Sequence, residues 1–130
     1  MKRVTRMAAA VCVAGLLAAC ASDAPVRAVY VPVVSGETAS PMLLSRDVVA
    51  ALSDGSAYTL AEGSWWRRVG ALVQGDVFRP LGQPVVLAKR GGAQAYLVAS
   101  AGRLVGFYLP AGSLFMPVSK PVALPFSQRQ

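Results

Sequence analysis

Histidine is absent from this chain, and with it the commonest metal ligand and the usual acid–base group near neutral pH. The six acidic residues stand apart from one another, so no carboxylate pair is visible for acid–base catalysis and no cluster has metal-ligand spacing. The serines have no histidine partner, and no glycine-rich loop leads into a helix to hold a phosphate. These absences predict a protein that is not an enzyme and that uses no metal or other cofactor.

Cysteine is nearly absent as well, since Cys12 and Cys20 are the only two in the chain. Both lie within the first 20 residues, so the sequence that follows them contains no disulfide. We therefore expect a domain that is held together by burial of apolar side chains alone.

Negative charge is scarce, and the net charge is +7 at pH 7. No run of Lys and Arg is longer than two residues, as in Arg67-Arg68 and Lys89-Arg90. Charge spread in this way suits solubility, or weak attraction to anionic lipid head groups, and does not predict a nucleic-acid partner.

The N-terminal segment has three parts that occur in a fixed order. Lys2, Arg3 and Arg6 form a cationic start, and residues 7–19 form an apolar run of 13 residues. Such a run has the length of a signal-peptide core and is shorter than the roughly 20 residues that span a bilayer as a helix. The run closes with Leu17-Ala18-Ala19-Cys20, which resembles the lipobox of bacterial lipoproteins.

The resemblance implies that residues 1–19 are a signal peptide and that the chain is cut before Cys20. It also implies that the Cys20 thiol receives a diacylglyceryl group and that the new amino terminus is acylated. Two or three acyl chains on one residue anchor a protein essentially permanently. In this family an Asp after the cysteine favours the inner membrane; Ala21 occupies that position here, which favours the outer membrane, on its periplasmic face. The alternative is an ordinary secretory signal that leaves a free cysteine.

Beyond the signal segment the composition divides the chain in two. Residues 20–41 begin with the N-terminus that the resemblance implies is lipidated, and their content of Ser, Gly, Thr and Pro predicts a flexible tether after it. Within it, the apolar stretch 26–34 is open to two interpretations, an edge strand or extended coil, because Pro32 excludes a central strand. Residues 42–130 are predicted to form one small β domain with a proline-rich tail.

Short apolar runs separated by turn residues predict that this domain is mostly β. Runs 48–52 and 56–60 flank Ser53-Asp54-Gly55 as a hairpin, and runs 95–100 and 104–109 flank a second compact turn. Gly70 is expected at a bend, a bulge or a close approach. Because the second pair of runs is apolar on both faces, we expect those strands to be central, and either covered on both sides or closed into a small barrel. The predicted fold is a single small β-barrel or sandwich of about six to eight antiparallel strands after a cleaved signal helix.

The most unusual local cluster is Trp65-Trp66-Arg67-Arg68. In a strand these side chains alternate, with Trp65 and Arg67 on one face and Trp66 and Arg68 on the other. One interpretation is a patch that binds a partner or faces the membrane, because Trp and Arg dominate interface hot spots and Trp favours head-group depth. The other is structural, with one tryptophan in the core and the second beneath an arginine stem.

Three functions from different classes follow. The leading hypothesis is a non-enzymatic envelope lipoprotein, anchored in membrane lipid through Cys20, whose β module contacts another protein in an envelope complex. The alternative is a binding protein for a small apolar or glycan ligand, held in a barrel mouth lined by Tyr96, Tyr108 or Trp66. The third is a hydrolase of cell-wall material, which would require two acidic groups facing one cleft.

Overall fold

The structure is a computed structural model, and it describes residues 24–33, 40–87 and 90–128. Twelve β-strands occur in these residues, and every strand pair is antiparallel. In chain order the strands are β1 (Val26–Arg27), β2 (Val31–Pro32), β3 (Met42–Leu44), β4 (Val48–Ala51), β5 (Ala57–Leu60), β6 (Trp65–Leu72), β7 (Gly75–Pro80), β8 (Val85–Leu87), β9 (Ala93–Ser100), β10 (Arg103–Leu109), β11 (Leu114–Ala123) and β12 (Phe126–Gln128).

Ten of the strands form one sheet, ordered β1-β11-β10-β9-β7-β6-β3-β12, with β2 added to β6 and β8 added to β9. The two end strands, β1 and β12, are not paired with each other in the part of the chain that the structure describes, so the sheet does not close into a barrel. Strands β4 and β5 form a separate hairpin, which meets β11 through a single bridge between Leu52 and Val118. The result is a single sandwich-like domain.

The main core lies between the inner face of the large sheet and the β4–β5 hairpin. Alternation along β4 buries Val48 and Ala50 and exposes Val49, as expected of a strand with one face on a core. Across the core, the ring of Tyr58 on β5 meets the edge of Phe107 on β10, with centroids 6.4 Å apart. The largest fully buried side chain of this core is Trp66.

A second, smaller core covers the outer face of the same sheet. Its buried members are Leu72, Val77, Val98, Tyr108 and Phe115, which come from β6, β7, β9, β10 and β11. The segment 24–33 packs over them, pairing through β1 with β11 and through β2 with β6. These pairings resolve the two interpretations of the N-terminal apolar stretch for its described part, which lies along sheet edges. Pro32 is tolerated there because an edge strand has one side with no ladder partner.

Two β-bulges shape the outer face, and each contains a glycine that lies beneath an aromatic ring. The register slips between Arg68 and Gly70 on β6, and a Cβ at Gly70 would lie 2.5 Å from the Tyr30 ring. A similar slip on β10 precedes Gly106, where a Cβ would lie 2.6 Å from the Phe115 ring. Only a residue without a side chain allows these rings to lie on the backbone.

The prediction of a mostly β single domain is confirmed, and the structure corrects its strand number, predicted as about six to eight, to twelve. The increase comes from strands of two to four residues, such as β1, β2 and β8, which are too short to show an alternating pattern.

The predicted signal helix and Cys20 lie outside the described residues. Within the described ranges, no helix is long and apolar enough to span a membrane.

Candidate functional site

The two tryptophans at the start of β6 occupy different environments. Trp66 is 2% exposed and belongs to the main core, and its indole Nε1–H donates to the hydroxyl of Ser64 at 2.9 Å. Trp65 is half-buried, and its carbonyl accepts a hydrogen bond from the Leu81 N–H at 2.9 Å. Leu81 begins the connection from β7 to β8, so this bond holds that connection against the tryptophan pair.

The two arginines that follow are involved in different interactions. The Nε of Arg68 lies 3.1 Å from the Asp76 carboxylate, in a largely exposed pair of the kind that contributes about 0.2–1 kcal/mol. Arg67 lies directly opposite Arg79 on β7, which places two cations side by side. The Nε of Arg67 is buried and has no hydrogen-bond partner among the described residues. The four-residue cluster is therefore divided between the core, an exposed ion pair and a cationic cross-strand pair.

A cavity of about 710 Å³ lies beside the tryptophans. We call it the tryptophan cleft. One wall is β5 with the turn that follows it, another is the start of β6, and the third is the connection from β7 to β8. Its apolar lining includes Tyr58, Leu60, Trp65, Trp66, Leu81 and Val85.

A few polar groups stand among these apolar side chains. Glu62 is the one charged residue among the described residues that line the tryptophan cleft. Its own N–H donates to the Asp47 carboxylate at 2.7 Å, which fixes the turn that carries it. Thr59, Ser64 and Gln83 supply neutral hydrogen-bonding groups. A mostly apolar concave site with few polar groups is typical of a binding site.

A second, narrower cleft of about 110 Å³ continues the first toward the other end of β5. Tyr58 lines both clefts. Val86 and Leu87 of β8 line the narrow cleft, and Val85 lines the wide one. The two clefts therefore follow the gap between β5 and β8, which are not paired with each other.

The residues proposed for a barrel mouth are not brought together. Trp66 lines the tryptophan cleft, whereas Tyr96 lines a different cavity of about 340 Å³. Tyr108 is 5% exposed in the outer core, where its ring stacks against Tyr30. Burial raises the pKa of Tyr30 above its usual 10.0, and the neighbouring Tyr96 and Tyr108 add to that effect while Arg79 opposes it.

Sequence reasoning missed several residues of the tryptophan cleft. Tyr58 and Leu60 were visible as the apolar face of a hairpin strand, which equally predicts a core. Glu62 and Gln83 lie in turns, and nothing in the local sequence shows that these turns face each other across a cavity.

Among the described residues, no group of three or more His, Cys, Asp or Glu is placed to hold a metal ion. Comparison with protein-family models, with curated proteins and with solved structures gave no match for this chain.

Proposed function

We propose that the chain is a lipid-anchored envelope lipoprotein whose β domain is a non-enzymatic binding module facing the periplasm. Anchoring through Cys20 rests on the resemblance of Leu17-Ala18-Ala19-Cys20 to a lipobox. Binding rests on one observation, the tryptophan cleft, which is large, apolar and open beside two aromatic side chains. The proposed site is this cleft, and the partner is another protein of the envelope.

The non-enzymatic role is supported by the charges of the cleft. Hydrolysis of glycosidic bonds generally uses two carboxylates on opposite sides of the reacting bond. Of the described lining residues only Glu62 carries a carboxylate, and the nearby Asp47 oxygen accepts its backbone N–H.

Anchoring is tested by changing the acylated residue. The Cys20→Ala chain should leave the membrane fraction, whereas Cys12→Ala, a matched change inside the signal segment, should fractionate as the original chain does. Mass spectrometry of the mature product should show an acylated Cys20. An unmodified thiol, or an intact leader, would contradict the anchoring proposal.

Binding is tested in the intact cell envelope with a photoreactive amino acid at one position at a time. Gln83 is exposed and lines the tryptophan cleft, whereas Val73 is 96% exposed on the β6–β7 turn and lines none of the cavities described above. We expect a defined crosslinked adduct from position 83 and none from position 73. Equal crosslinking from both positions would mean that the cleft has no special role.

A small ligand is the second candidate function, because a volume of about 710 Å³ is in the range that encloses small molecules. An apolar compound or an oligosaccharide would occupy the same cleft. It would leave position 83 without a protein adduct and would change the fluorescence of the tryptophans when added to the purified chain.

A further inference from the structure

The gap between β5 and β8 lies between two strand edges that have no second strand neighbour in the described chain. We infer that it accepts an extended segment of the partner protein, which adds as a strand antiparallel to β5 with its N-terminal end near Glu62. This inference rests on the proposed function, because it names the kind of partner that the tryptophan cleft binds.

The first argument comes from the main chain of β5. The Leu52 N–H donates to the Ser56 carbonyl at 2.8 Å, which makes this the first hydrogen-bonded pair of the hairpin. Hydrogen-bonded and non-hydrogen-bonded pairs alternate along an antiparallel ladder, so Tyr58 and Leu60 bond to β4. The main-chain groups of Ala57 and Thr59 therefore point away from β4, and in the described chain no other strand pairs with them.

The second argument is that the opposite side of the gap is also a strand edge. Strand β8 pairs with β9 alone in the described part of the chain. Its outward residue Val86 is 41% exposed, although Val85 and Leu87 on either side are buried. An edge that exposes a large apolar side chain and unpaired backbone groups is where strands from other chains add.

The third argument comes from the side chains that an added strand would meet. Residues on one face of that strand would lie over Tyr58 and Leu60, which point inward, and residues on the other face would lie beside the outward Ala57 and Thr59. The cleft thus favours a segment with apolar side chains at alternate positions. A strand of about five residues matches the length of the gap along β5.

Charge favours a basic segment. No described residue that lines either cleft is Lys or Arg, and residues 47–64 contain three acidic residues and no basic one, in a chain with net charge +7. Glu62 lies at the wide end, where an antiparallel partner has its N-terminal end. A Lys or Arg there would form an ion pair with this carboxylate.

A glycan is less well matched to the same surface. Sugars stack on exposed aromatic faces, but Trp66 is 2% exposed, which leaves the half-buried Trp65 as the one indole of the cleft for stacking. The two strand edges offer hydrogen bonds with the regular spacing of a polypeptide backbone.

The test uses the full-length chain in detergent and an acetylated, amidated heptapeptide of sequence KVTVTVG. The only two tryptophans of the chain line the cleft, so their fluorescence reports its occupation without a label. We expect saturable quenching or a spectral shift with KVTVTVG, together with slower hydrogen exchange at the amides of Ala57 and Thr59. The same peptide with every amide N-methylated should have no effect.

Two variants with matched controls locate the binding. Thr59→Pro removes an outward N–H that does not bond to β4, and should weaken binding of KVTVTVG at least tenfold. Thr59→Val should bind the peptide as the original chain does. Glu62→Gln should weaken binding of KVTVTVG about threefold. Asp76→Asn should have no effect on binding, because the Asp76 carboxylate pairs with Arg68 away from the gap.

Other outcomes would overturn the inference. If chitotetraose or a fatty acid changes the tryptophan fluorescence of both the original chain and Thr59→Pro, and KVTVTVG changes neither, the cleft binds a small ligand, which is the second candidate function, and not a strand. If KVTVTVG has no effect while position 83 still crosslinks to a protein, the strand inference fails and the proposed function stands. A spectral change that depends on protein concentration alone would identify a second copy as the occupant. No response to any probe, together with no crosslink from position 83, would contradict the proposed function as well.

Discussion

The phenol ring of Tyr30 stacks on the ring of Tyr108, with centroids 5.2 Å apart and planes within 9° of parallel. The Tyr30 hydroxyl donates a hydrogen bond to the Val69 carbonyl at 2.7 Å. One side chain from the N-terminal segment thereby joins β10 to the bulge of β6. Segment 24–33 thus contributes to the outer core.

Substitution of Tyr30 measures that contribution. Tyr30→Phe keeps the stacked ring and loses one hydrogen bond, so the free energy of unfolding should fall by about 1 kcal/mol. Tyr30→Ala also removes the ring, and should lower it by about 3 kcal/mol or more. Urea unfolding followed by tryptophan fluorescence gives both values. Equal stability of the Ala variant and the original chain would mean that segment 24–33 does not hold the sheet in solution.

The raised pKa of Tyr30 predicts a loss of stability in alkali. The partly buried phenol stays protonated in the folded chain at a pH where it already ionises in the unfolded chain, near its usual value of 10.0. Its contribution is therefore fully present below that pH and is lost as the pH rises from there through the raised folded-state pKa. The free energy of unfolding, measured from about pH 9 to about pH 11.5, should fall less steeply in Tyr30→Phe than in the original chain. Parallel curves would contradict the assignment to this residue.

The bulge glycines predict a second set of stability changes. Gly70→Ala would place a Cβ against Tyr30 and 2.6 Å from the Val31 carbonyl, and Gly106→Ala would place one 2.5 Å from the Met116 carbonyl. Each change should lower the free energy of unfolding by about 1–3 kcal/mol. Gly82→Ala is the matched control, because its Cβ would meet nothing within 4 Å and the change should be nearly neutral. Three similar values would show that backbone entropy, and not the close approach of the rings, sets the effect.

The elements that sequence analysis predicted correctly are those specified by neighbouring residues. The turn Ser53-Asp54-Gly55 and the runs beside it form the β4–β5 hairpin, with Gly55 at φ +90° and the Ser56 N–H bound to the Asp54 carboxylate at 2.9 Å. Gly70 lies at a bulge and at a close approach, two of the three arrangements expected of it. The central strands β9 and β10 are covered on both faces.

The features that were not predicted depend on residues far apart in the chain. The outer cover of β10 comes from Tyr30, which is 78 positions before Tyr108 and lies in a segment with the composition of a tether. The tryptophan cleft is formed by turns whose residues carry no local signal of what they face. Trp66 could be identified as a core or a surface residue only once the pairing of β6 with β3 and β7 was known.

The turn between β9 and β10 predicts a stabilising substitution. Ser100 pairs with Arg103, so Ala101 and Gly102 form a two-residue turn, with φ of 53° and 77°. Two positive φ values match the hairpin turn that strongly favours Asn followed by Gly. The left-handed conformation is about 1 kcal/mol unfavourable for alanine, because its Cβ lies too close to the following carbonyl oxygen.

Ala101→Asn should therefore raise the free energy of unfolding by about 0.5–1 kcal/mol, since asparagine tolerates the left-handed region and can bond to the local backbone. Ala101→Val, with a branched side chain in the same conformation, should lower it. Both variants leave the tryptophan cleft unchanged, so binding of KVTVTVG should be the same in each. If Asn and Val shift stability in the same direction, the backbone of Ala101 is not left-handed in solution and the turn differs from the one described.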